Sequence, residues 1–203
     1  MKKAILISFL VLFISAMAYG QDKIETPVWK IGDKWNLAGD VIITVVNADE
    51  SSYSVKYSTS GGDSILIFDK SSLNRLYAMD KDKRIPYEGR NKRLFNFPLN
   101  IGKSWKDKYI VKQASLAAKE YTYLETFTVL GWEDTVTQGG KFKALKIEYK
   151  QEIIGQTPGR PKEGKAWYWY SPDVKYMVKC QYEKSDFWDA PYDWEIASFE
   201  LKK

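Results

Sequence analysis

Between Asp186 and Glu195 the chain interleaves four carboxylates, Asp186, Asp189, Asp193 and Glu195, with Phe187, Trp188, Tyr192 and Trp194. Aromatic faces stack on sugar rings and carboxylates accept sugar hydroxyls, so this turn-rich stretch reads as a glycan-contact loop. The bland alternative is a solvated loop whose tryptophans fold back over the core. Asp189 and Glu195 also supply the two carboxylates that glycoside hydrolysis requires, a chemistry that needs no histidine. The chain is short and has no cleft-forming insertions, so a non-enzymatic protein is expected, with a small carbohydrate-active enzyme as the alternative. Calcium accepts loop carboxylates, but the spacing here matches no EF-hand, and neither metal nor cofactor is expected. A second group, Trp167, Trp169 and Tyr176, would line a cavity for an apolar ligand if the interior of the fold is hollow, and would be core if it is filled.

What the chain lacks is as informative. There is no histidine among its 203 residues, which removes Ser-His-Asp and Cys-His catalysis and the commonest zinc ligand. Cys180 is the single cysteine, so no internal disulfide forms; it is expected to be a small buried apolar side chain. The formal net charge of +5 is modest, and two of those charges, Lys2 and Lys3, sit in the leader described below. Without a basic stripe, nucleic acid is not an expected partner. Arg84, Arg90, Lys92 and Arg93 make a mild basic cluster, expected as a solvated loop, with contact to anionic lipid or polysaccharide as the alternative.

The elements that must position these groups are strands. Val41 to Asn47 is β-branched; Tyr53, Val55 and Tyr57 alternate with Ser54, Lys56 and Ser58. Gly61-Gly62-Asp63 and Gln138-Gly139-Gly140 are hairpin signals, since glycine reaches positive φ without steric cost. Tyr121, Tyr123, Glu125, Phe127 and Val129 share one face of a long strand. In the following strand Leu145, Ile147 and Tyr149 oppose Lys146, Glu148 and Lys150, one face packed and one wet. Lys165–Tyr170 and Val174–Glu183 flank Ser171-Pro172-Asp173, and Glu195–Leu201 is the last strand. Only Lys112–Lys119 reads as helical, and Gly155–Gly164 as an exposed loop. Turn spacing predicts nine to eleven antiparallel strands in one domain over 21–203. So many strands in one sheet curl, and a closed or partly open β-barrel is the first expectation, a two-sheet β-sandwich the second. A lipid-embedded outer-membrane barrel is disfavoured by Glu125, in line with Tyr123 and Phe127 where lipid would require apolar groups. Ile31-Gly32-Asp33-Lys34-Trp35 echoes Ile101-Gly102-Lys103-Ser104-Trp105, as a glycine turn that throws a tryptophan onto the core.

Residues 1–20 read as an address: Lys2-Lys3, then an uncharged apolar run from Ala4 to Ala18, then Ala18-Tyr19-Gly20 as a small-x-small cleavage site. The run is too short for a membrane span, and no cysteine follows it to carry a lipid. The expected location is periplasmic or extracellular, with no transmembrane helix after cleavage; oligomeric state stays open. Three stretches, Phe97-Pro98-Leu99-Asn100-Ile101-Gly102-Lys103-Ser104-Trp105, Gly140-Lys141-Phe142 and Trp169-Tyr170-Ser171-Pro172, in this order resemble a family of exported Gram-negative β-barrel domains of unknown function. The resemblance spans about residues 94 to 182. It implies a barrel-like fold and an envelope location, and it supplies no reaction or catalytic residue. The combined expectation is an exported binding module for a small apolar ligand or a glycan.

Overall fold

The computed structural model describes residues 23–87, 89–112, 120–154, 163–184 and 193–203. The leader, positions 113–119 of the expected helix, most of the 155–164 loop and the aromatic-acidic stretch from Asp186 to Tyr192 lie outside the described residues. Lys112 itself ends a strand rather than opening a helix.

Twelve strands are present among the described residues. The first six are β1 (Lys34–Leu37), β2 (Val41–Ala48), β3 (Ser52–Thr59), β4 (Gly62–Asp69), β5 (Arg75–Asp80) and β6 (Lys83–Pro86). The second six are β7 (Ser104–Lys112), β8 (Glu120–Thr137), β9 (Gly140–Ile154), β10 (Glu163–Ser171), β11 (Tyr176–Tyr182) and β12 (Trp194–Glu200). They form one antiparallel sheet in the order β6-β5-β4-β3-β2-β1-β12-β11-β10-β9-β8-β7. The count exceeds the nine to eleven expected. One addition is β6, a four-residue edge strand holding Arg84, where the sequence predicts a solvated loop. Arg84 instead lies over the Tyr77 ring at 5.0 Å.

The sheet is continuous but not closed, which decides for the partly open barrel over two separate sheets. Its two halves meet at β12. Trp194 and Glu195 pair with β11, whereas Ile196 to Glu200 pair with β1. One strand thus serves both halves at a corner, as strands do where sheets fold over. Contacts between strands remote in the order show the curl. Tyr57 of β3 hydrogen-bonds Tyr176 of β11 at 3.0 Å, and the Gly139 amide at the β8–β9 tip donates to Ile196 O of β12 at 2.9 Å.

Local sequence explains the turns. In both glycine hairpins the second glycine opens the strand at positive φ, 119° at Gly62 and 130° at Gly140. The pentapeptide echo is a structural repeat. Gly32 and Gly102 have φ of 90° and 83°. Their amides donate to Val45 O and Val129 O at 2.8 and 2.9 Å, and Asp33 and Lys103 donate back across the turn to Lys30 O and Asn100 O. Each turn then delivers a buried tryptophan whose indole N–H finds a carbonyl: Trp35 Nε1 on Val174 O and Trp105 Nε1 on Arg93 O, both at 2.8 Å.

The core is aromatic and interlocked. Trp29 packs on Trp35, Tyr53, Phe68 and Tyr176 with ring centroids 5.2 to 6.0 Å apart. Trp105 stacks on Phe127, which meets Tyr149, which meets Tyr168. Phe95 and Phe97 pack edge-on to Tyr170. The last two belong to the connection between β6 and β7. This segment, 87–103, leaves one edge of the sheet and returns at the other, with Leu94, Phe95 and Leu99 buried on the way.

Candidate functional site

A buried carboxylate pair lies beneath that connection. Glu125 on β8 and Asp107 on β7 stand directly opposite each other in the antiparallel ladder. Glu125 is 0% exposed and Asp107 9%. Like charges in that relation are unfavourable, since cross-strand Cβ atoms are about 4.5–5.5 Å apart. Strand alternation places both acids inside: Asp107 falls between Trp105 and Tyr109, and Glu125 between Tyr123 and Phe127.

The surroundings satisfy Glu125 with neutral donors. The Tyr149 hydroxyl donates to Oε1 at 2.8 Å. The Asn91 backbone N–H reaches Oε1 and Oε2 at 3.0 and 3.1 Å. Asn91 presents that N–H from a left-handed backbone, φ 63°, a conformation asparagine adopts more readily than most residues. Its side-chain Nδ2 donates to the Tyr168 hydroxyl at 2.7 Å. Tyr168 lies 3.4 Å from Tyr182 OH, and the Gln151 amide reaches Tyr109 OH. Arg90 sits over the Tyr182 ring at 5.7 Å.

Burial pushes the Glu125 carboxyl up to about 7, and the Asp107 charge adds to the rise; Tyr149, the Asn91 amide and Arg90 pull the other way. Burial also raises Tyr149 and Tyr168, so these phenols stay protonated donors. Chemically, the cluster holds a carboxyl that exchanges its proton near neutrality. Glu125 is fully enclosed and both its oxygens are engaged, so it does not face a substrate. Two close carboxylates with one raised acid suit glycoside hydrolysis in type but not in access.

Above the pair, where the 87–103 connection meets β7, lies a half-open cleft of about 240 Å³, lined by Asn74, Arg93, Phe95, Asn96, Trp105 and Lys106. Two cations and two carboxamides surround the buried rings of Phe95 and Trp105. Arg93 joins cleft to acids, its Nε 3.6 Å from Asp107 Oδ1.

The residues singled out from sequence are dispersed. Tyr176, 5% exposed, stacks on Trp35 inside the fold. Trp167 and Trp169 pair with Glu148 and Lys146 on the opposite, charged face of the sheet. The three therefore do not line a common cavity. Trp169 is only 5% exposed, because Lys146 and Lys179 cover its ring and Glu133 accepts its indole N–H at 2.9 Å. Trp194 is half-buried opposite Cys180, and Asp193 Oδ1 accepts the Tyr182 amide at 2.7 Å, a strand-end cap. Glu195 accepts the Gln138 amide at 3.2 Å. Asp186, Trp188, Asp189 and Tyr192 lie outside the described residues. The basic cluster is not a plain solvated loop: Arg90 and Arg93 bracket the acid cluster, and Lys92 O accepts the Arg75 amide.

Cys180 is buried, as expected, and its thiol is pushed up by burial. In native protein it should react with Ellman's reagent at least 100-fold more slowly than in urea, since only the thiolate attacks. Equal rates in the two conditions would place it at an accessible surface.

No family model matches the chain, and no curated protein matches it. Among solved structures it is similar to the hypothetical lipoprotein YmcC of Escherichia coli K12, at 8% identity over 99% of this chain and 98% of that one, TM-score 0.44. A protein designated a lipoprotein from Parabacteroides distasonis is 14% identical over 89% of this chain and 100% of its own, TM-score 0.45. A protein designated exported, with a YmcC-like fold, from Bacteroides fragilis is 10% identical over 88% and 99%, TM-score 0.42.

Proposed function

We propose that this protein is an exported, non-enzymatic binding module whose ligand is a glycan, held in the cleft between the 87–103 connection and β7. Export rests on the leader pattern of residues 1–20. The observation that carries the binding reading is the cleft lining. The Asn96 carboxamide offers donors and an acceptor to sugar hydroxyls, Asn74 offers its Nδ2 donors while its Oδ1 accepts the Phe95 amide at 3.3 Å, Arg93 and Lys106 add charged donors, and Phe95 and Trp105 supply apolar wall. At about 240 Å³ the cleft is smaller than the usual drug-sized pocket, a size suited to a single sugar unit at a chain end. An apolar ligand is less well served, because the described interior is occupied by interlocked rings. A lipid-embedded barrel is disfavoured by the edges β6 and β7, unpaired among the described residues, and by the charged outer row of Lys146, Glu148, Lys150 and Lys179.

A glycan array probed with the purified protein tests this. Binding is expected to fall at least tenfold in Asn96→Ala and to persist in Trp188→Ala. Loss in Trp188→Ala alone would move the ligand to the aromatic-acidic stretch. Turnover of any bound glycan, abolished by Asp189→Asn or Glu125→Gln, would make the protein an enzyme.

A further inference from the structure

Arg93 belongs to two structures at once. Its side chain is 61% exposed and lines the cleft, while its Nε faces Asp107 Oδ1 at 3.6 Å. That separation is longer than the 2.7–2.9 Å of a charge-assisted hydrogen bond, so the guanidinium fork is not committed to Asp107. Asp107 is correspondingly under-served: Oδ1 takes the Lys108 amide at 3.0 Å, and Oδ2 is buried without a hydrogen-bond partner among the described residues. Lys106, one residue along β7, adds a second cation to the cleft wall. The cleft therefore presents two cations outward, and one of them is only loosely held by an acid below.

Resting on the glycan reading, we propose that the ligand is an acidic saccharide, whose carboxylate is taken by Arg93 and Lys106, and that its binding draws a proton from solvent onto Glu125, which stands opposite Asp107. A ligand carboxylate engages the planar guanidinium through two parallel N–H···O bonds, which a sugar hydroxyl cannot match. Drawing Arg93 outward leaves two opposed carboxylates with less positive charge nearby. Among the described residues the groups that bear on Glu125 are Asp107 and Tyr109 from β7, Tyr149 from β9, Tyr182 from β11, and Arg90 with Asn91 from the connection, and Tyr168 from β10 is joined to them through Asn91. Arg90 is the cation that remains among them, so Glu125 relieves the repulsion from Asp107 by taking a proton. Binding coupled to proton uptake tightens as pH falls.

The experiment is titration calorimetry of the purified protein at pH 6 and pH 8, in two buffers of different ionisation enthalpy. The probes are a galacturonic acid oligomer, a galactose oligomer of the same length, and inorganic phosphate. The acidic oligomer is expected to bind at least tenfold more tightly than the neutral one, with proton uptake and with affinity about tenfold higher at pH 6. Arg93→Gln, at an exposed position that leaves the core intact, should erase the acidic preference. Asp107→Asn should keep that preference and lose most of the proton uptake. Equal affinity for acidic and neutral oligomers would overturn this inference while leaving the glycan reading in place. Binding of neither oligomer would overturn the glycan reading itself. Phosphate binding as tight as the acidic oligomer would reduce the cleft to a simple anion site.

Discussion

Trp35→Ala lowers the unfolding free energy by about 3–5 kcal/mol, the usual cost of truncating a fully buried tryptophan. Trp35 is 0% exposed, and its strand pairs with both β2 and β12, at the seam between the two halves of the sheet. Its ring stacks on Tyr176 at 5.0 Å and lies 5.2 Å from Trp29, and its indole N–H serves Val174 O. The substitution opens a cavity, orphans a buried carbonyl and loosens the contact that holds β11 over β1. Domains have only about 5–15 kcal/mol in hand, so much of the stability goes. Urea unfolding followed by fluorescence measures the effect. A loss below about 1 kcal/mol would mean that the two halves do not close on Trp35. Trp35→Phe is the milder companion, because it keeps a ring against Tyr176 and removes the indole donor.

Stability falls as pH rises from about 4.5 to about 7, and Glu125→Gln flattens that fall. The folded-state carboxyl of Glu125 sits at about 7, above its ordinary value of 4.5. Between those values the folded protein holds a proton that the unfolded chain has released. The unfolded state binds fewer protons there, so stability declines with pH and levels off above the folded value. At about 1.4 kcal/mol per unit, the decline attributable to this residue is about 3 kcal/mol. Glutamine retains a carbonyl for the Asn91 amide and the Tyr149 hydroxyl and carries no charge. The variant should thus match the parent near pH 4 and exceed it by up to about 3 kcal/mol at pH 8. Subtracting the two urea-unfolding profiles cancels the other titrating groups. Parallel profiles across this range would show that Glu125 ionises inside the fold without penalty.

The acid cluster was half-visible in the chain. Period-two alternation set Glu125 in line with Phe127 and Val129, and a carboxylate at a core-facing strand position is a strong signal. Asp107 carries the same signal, between Trp105 and Tyr109. Which residues would meet them was not visible, because β7 and β8 are joined through 113–119 and their register follows from pairing rather than from local pattern. Asn91 and Arg93 were less legible still. They lie in a stretch with no period, and their roles depend on where the connection crosses between the two sheet edges. Trp167 and Trp169 illustrate another limit: the sequence left them between cavity lining and core, and only the pairing with Glu148 and Lys146 shows which face of the sheet they occupy. Lysine stems from β9 and β11 bury Trp169 on the charged side.

The amino-acid sequence alone determined the antiparallel strand class, the glycine turns that launch Trp35 and Trp105, the alternation of packed and wet faces, and the absence of histidine chemistry. These follow from φ preference, side-chain period and composition, which act over a few residues. The tertiary structure alone decided that the sheet stays open, that β12 joins its halves, and that two carboxylates share a buried site under a basic cleft. Those outcomes join residues tens of positions apart, and only the pairing of distant strands brings their charges together.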